Sequence, residues 1–93
     1  MLATEELNNL TRQLGYANIE DAAAKQMALV LMSKISKYKL EVNMFKNKYK
    51  CSLRDAIKKN KTENYEYEDD LLDWEFASMA LKKNQDYFDK LTK

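Results

Sequence analysis

Five acids within eight residues, Glu66, Glu68, Asp69, Asp70 and Asp73, are the side chains of this sequence best placed to do chemistry. Carboxylates this dense can ligate Mg²⁺ or Ca²⁺, or present a phosphate-like row of charge to a basic partner. The metal reading is weak on two counts. No EF-hand spacing with its glycine is present, and neighbouring helical acids such as Asp69 and Asp70 diverge by about 100°. Cys51 stands between Lys50 and an expected helix start, the setting of a reactive thiol. With no histidine in the chain, however, neither a Cys-His pair nor a Ser-His-Asp arrangement can be built. The single glycine, Gly15, cannot make a phosphate loop. No catalytic residue, metal or cofactor is expected, and the chain reads as a non-enzyme.

Binding is the chemistry that remains. Tyr65 and Tyr67 alternate with acids as YEYEDD, and tyrosine is a favoured interface anchor. Tyr65, Tyr67, Glu68, Asp69, Asp70 and Asp73 are therefore the expected partner-binding set, exposed at a loop-to-helix junction. Charge is strongly segregated around them. Ser33 to Thr62 carries ten Lys or Arg against two acids, a net of +8, and Glu63 to Phe76 carries seven acids and no base. Part of this asymmetry is expected to cancel internally, between helices that lie side by side. The basic stretch is the alternative site: Lys46, Lys48, Lys50, Lys58 and Lys59 would neutralise nucleic-acid phosphates. Its lysines fall on several helix faces, and arginine, the preferred base reader, occurs only at Arg12 and Arg54.

Long helices must position these residues. Ninety-three residues, 45% apolar and 33% charged with no proline, make one domain spanning 1–93. Thr4 is placed to cap a short first helix that Gly15 ends, with Leu7, Leu10 and Leu14 on one stripe. Asn18 opens a second helix. Ala24, Ala28, Leu31, Ile35, Tyr38, Val42, Phe45 and Tyr49 then recur at steps of four and three, a heptad-like seam running to about Tyr49. Ser52 starts a short third helix through about Lys59, and Asn60 to Asn64 reads as a loop. The last helix is expected to begin between Tyr67 and Asp70. Its seam is Trp74, Ala77, Leu81, Asn84, Phe88 and Leu91, widened by Leu71 and Leu72. The fold expected is all-α: a long antiparallel helical hairpin with one or two short flanking helices, a three-to-four-helix bundle. Leu31, Tyr38, Phe45, Trp74, Leu81 and Phe88 should share its interior.

Two strings carry a resemblance. KISKYKLEVNMFKNKYKCSLRDA (Lys34 to Ala56) followed by YEYEDDLLDWEFASMAL (Tyr65 to Leu81) resembles a group of small helical proteins of bacteria and archaea. Their pattern is an L-x-K-x-x-x-Y helix, then K-Y-G-M-S-F-E-E-F, then E-D-D-x-x-D-W-E. The opening RQLGYANIEDAAA is similar to the family's start, so the likeness spans nearly the whole chain. Its specific part is Glu68, Asp69, Asp70, Asp73, Trp74 and Glu75. Lys50-Cys51 departs from the family's Gly-Met, and Arg54-Asp55-Ala56 from its more acidic residues. Such proteins look like the antitoxin half of toxin–antitoxin pairs. The resemblance implies neutralisation of a small cognate toxin, such as a ribonuclease, with Glu68, Asp69, Asp70 and Asp73 mimicking phosphates in its basic groove.

The turn Met27 to Met32 is apolar on every side and is expected to be covered by the first helix or by a second subunit. A homodimer with Met27, Val30 and Leu31 in its seam is the favoured expectation; a purely structural oligomer is a further alternative to the binding roles. MLATEELNNL lacks a basic n-region and an apolar core, and the longest near-apolar run is far short of a membrane span. A cytoplasmic chain with no membrane contact is expected.

Overall fold

A computed structural model describes residues 3–59 and 64–92. They form four helices, α1 (Thr4–Gln13), α2 (Ile19–Tyr49), α3 (Leu53–Lys59) and α4 (Tyr65–Leu91), and no strand occurs among them. The all-α hairpin is therefore observed. Residues 60–63, most of the expected loop, lie outside the described residues.

Local chemistry explains most of the boundaries. Gly15, at φ 93°, closes α1 in a Schellman turn, with its N–H on the Arg12 carbonyl and the Tyr16 N–H on that of Thr11. The Asn18 side chain accepts from the Asp21 N–H at 2.7 Å, and the Asp21 carboxylate accepts from the Ala17 N–H at 2.9 Å. This reciprocal pair caps α2 much as a capping box does. Ser52 accepts from the Asp55 N–H at 3.2 Å and starts α3. Two boundaries differ from expectation. Thr4 is the first helical residue and not the cap, which is Ala3 without a side-chain bond. The last helix begins at Tyr65, because Asn64 caps it by accepting from the Tyr67 N–H.

Where α2 ends, Lys50 adopts φ 54° and ψ 38°, the left-handed region that glycine occupies at little cost. Lysine there gives up roughly 1–2 kcal/mol of backbone strain, partly offset by the freedom a glycine would have in the unfolded chain. Lys50→Gly is expected to raise stability by up to about 1 kcal/mol, read as a higher denaturation midpoint with an unchanged slope.

α2 and α4 pack antiparallel along matched seams. Tyr38 meets the Phe76 ring edge-on at 6.0 Å, and Phe45 stacks on Trp74 at 5.8 Å. Nearer the connection, Tyr49 stacks on Trp74 at 6.1 Å and meets Tyr67 edge-on at 5.1 Å. The core consists of Val42, Phe45, Ala56, Leu71, Trp74 and Ala77, from the last third of α2, α3 and the first half of α4. Tyr38 and Leu81 pack against this core, whereas Leu31 and Phe88, expected inside it, are only half-buried toward the open end. Leu72, expected to widen the seam beside Leu71, instead points outward.

The molecule measures 62 × 27 × 17 Å, with a radius of gyration of 19.8 Å. A compact domain of this length would have a radius near 12 Å. For most of its length the hairpin is one helix thick. α1 does not cover the Met27–Met32 turn: Leu7, Leu10 and Leu14 are themselves exposed, as are Met27, Leu29, Val30 and Met32. The connection after α1 meets α2 through Tyr16, whose hydroxyl accepts from Gln26 at 2.9 Å and whose ring lies 5.5 Å from the Lys25 ammonium. No helix among the described residues is long and apolar enough to cross a membrane.

Candidate functional site

The first three turns of α4 hold the acidic residues, and the helix divides them by face. Tyr67 and Asp70 turn toward α2 and α3. The Tyr67 hydroxyl donates to the Ala56 carbonyl at 2.5 Å, fastening α3 onto the hairpin, so this tyrosine serves the fold instead of standing free as an anchor. Asp70 accepts from the Lys48 ammonium at 2.6 Å and from the Tyr49 hydroxyl. The bond from Lys48, then that from Tyr49, holds the Asp70 carboxyl below the ordinary carboxylate range. Burial pushes the Tyr49 phenol up, and its hydrogen bond to Asp70 adds to that rise. Lys48 is raised in turn by Asp70. This trio clamps the closed end of the hairpin, and its charges largely cancel there.

The outward face is different. Tyr65 (78% exposed), Asp69, Leu72 (65%), Asp73 and Phe76 (63%) are all open to solvent. Their spacing of three and four residues sets them on one side of α4, as neighbours along its surface. Glu66 is exposed beside them and lies 3.6 Å from Lys48, while Glu68 is half-buried toward α3. The expected set thus separates: Tyr65, Asp69 and Asp73 share the open face, while Tyr67 and Asp70 do not. Leu72 joins that face instead, and Phe76 joins it at the margin, exposed over most of its surface while its ring also meets Tyr38 of α2. Their signal was present as the i, i+4 spacing of two apolar residues among acids, masked because Leu72 stands next to the truly buried Leu71.

The alternative basic set is also divided. Lys46, Lys50, Lys58 and Lys59 are exposed, but Lys48 is bound to Asp70 and Glu66. Lys59 borders a small cavity with Tyr49, Cys51, Asn64 and Tyr67, and the Cys51 thiol is half-buried against the core. Among the described residues no three of His, Cys, Asp or Glu converge as metal ligands would. The dimer residues Met27 and Val30 are 56% and 55% exposed, and Leu31 is half-buried beneath them.

Comparison with protein-family models, with curated proteins and with solved structures returns no match for this chain.

Proposed function

We propose that this chain is a non-enzymatic protein-binding module, antitoxin-like, that acts as a homodimer and neutralises a small cognate toxin. The observation that supports this reading is the outward face of α4, where Tyr65, Leu72 and Phe76 stand exposed among Asp69 and Asp73. Large apolar side chains left in water at the centre of an acidic surface are the composition of an interface core with a charged rim. The acids would steer the module toward a basic groove of the kind that holds RNA, and the aromatic and aliphatic side chains would be desolvated on docking. The segregation of charge fits the same reading, since Lys48 neutralises Asp70 and leaves Asp69 and Asp73 free to face a partner.

The test is calorimetric titration with the protein encoded by the adjacent gene. Leu72→Ala and Phe76→Ala are each expected to weaken binding tenfold or more, about 1.4 kcal/mol, while leaving the helical signal unchanged. Asp69→Lys with Asp73→Lys should slow association and remove most of its salt dependence. Absence of binding, or binding indifferent to all four substitutions, overturns the reading. Binding to a random RNA oligonucleotide with a log–log salt slope near −4 to −5 would instead favour the five-lysine surface.

A further inference from the structure

We propose that the open end of the hairpin is the seam of the homodimer, formed by two copies packing groove to groove into a four-helix bundle about a two-fold axis. This deepens the homodimer reading above and rests on it. The groove lies between the first half of α2 and the last turn of α4, with a volume of about 610 Å³. Met27, Val30 and Leu31 form one wall, and Tyr87 and Leu91 the other.

Area identifies the need for a second copy. The chain exposes 7441 Å². A compact monomer of its mass would expose roughly 5,600 Å², so about 1,800 Å² is in excess. A standard interface takes about 800 Å² from each partner, and obligate dimers take about 1,000–2,500 Å². Shape agrees with area. A hairpin 17 Å thick has buried only six apolar residues among those described, while fifteen large apolar side chains remain exposed. Stacking a second hairpin against the first supplies the missing layer and gives the open end the core it lacks.

Charge favours a copy of the same chain as the occupant. Among the described residues Lys90 is the only charged one lining the groove, and the whole chain carries +1, so two identical patches meet with little repulsion. The outward acidic face of α4 would repel its own copy and is better left for a basic partner.

The experiment is solution mass by multi-angle light scattering at about 100 μM, read beside helical circular dichroism. Wild type is expected at roughly 22 kDa, twice the 11.0 kDa chain. Val30→Glu should shift the mass to that of one chain, because each copy would carry a carboxylate into an apolar seam and pay its desolvation. Leu40→Glu, on the back of the same helix at 71% exposure, should leave the dimer intact. Wild type at the single-chain mass overturns both the homodimer and its seam. A wild-type dimer that Val30→Glu does not disturb overturns the seam alone. If Val30→Glu loses its helical signal, as a fold dependent on its partner must, Leu40→Glu has to keep it; loss in both variants overturns the seam.

Discussion

Trp74→Ala is expected to cost about 3–5 kcal/mol, enough to leave much of the protein unfolded at room temperature. Trp74 is fully buried and stands between Phe45 and Tyr49, stacked on both. Its removal leaves a large void between the two long helices, at the one place where the core is dense. Both neighbouring rings are carried by α2, with Tyr49 also tied to Asp70 of α4, and can close that void only in part, so the cavity penalty adds to the lost burial. The indole N–H has no hydrogen-bond partner among the described residues despite its burial. Trp74→Phe should therefore be much milder than Trp74→Ala, since it removes an unsatisfied donor while keeping most of the apolar contact. Urea denaturation of both variants checks the pair of expectations. A midpoint for Trp74→Ala within error of wild type would show that the stacked rings do not hold the hairpin together.

Acid should weaken the fold through one residue in particular. Asp70 has its folded-state pKa held below the ordinary value near 3.9, by Lys48 first and Tyr49 second. Its contribution is fully present above that ordinary value and is lost as pH falls through the lower, folded one. At the alkaline end the sign reverses. Tyr49 and Lys48 both have raised folded-state pKa values, so their contribution is complete below the ordinary values of about 10 and 10.4 and is lost as pH climbs through the raised ones. Stability against pH is expected to be a plateau with an acid and an alkaline shoulder. Asp70→Ala should lower the plateau by about 1–2 kcal/mol, a charge-assisted hydrogen bond reduced by solvent screening at the half-exposed Lys48, and should flatten both shoulders. Asp69→Ala, on the exposed face one residue away, should do neither. Denaturation midpoints collected from pH 3 to 11 on the two variants separate these outcomes, and equal profiles would show that the clamp carries no stability.

The seams and most of the caps were legible in the residues alone. The four-three spacing from Ala24 to Tyr49 named the inward face of α2 residue by residue, and Val42 and Phe45 are its buried members. Gly15, Asn18 and Ser52 each act where they were expected, because capping needs only atoms within a few residues. Periodicity alone starts α4 too late, because the alternation of YEYE reads as a junction and not as helix. The signal that decides it is Asn64 followed by Glu66 in the first turn, a cap with an acid beside it.

What the sequence by itself determined was helix content, helix order and which stripe of each long helix turns inward, since periodicity and capping are local properties of the chain. Only the tertiary structure decided the fate of the charges and of the surplus apolar surface. Asp70, four residues before Trp74, falls on the inward stripe, but its meeting with Lys48 and Tyr49 across more than twenty residues is set by how α4 lies against α2. Likewise, Leu7, Leu10 and Leu14 form a stripe able to cover Met27 to Met32, yet α1 is seated so that both remain in water. Pairing between distant segments depends on how helices are set against each other, a property of the packed chain that spacing along one helix does not encode.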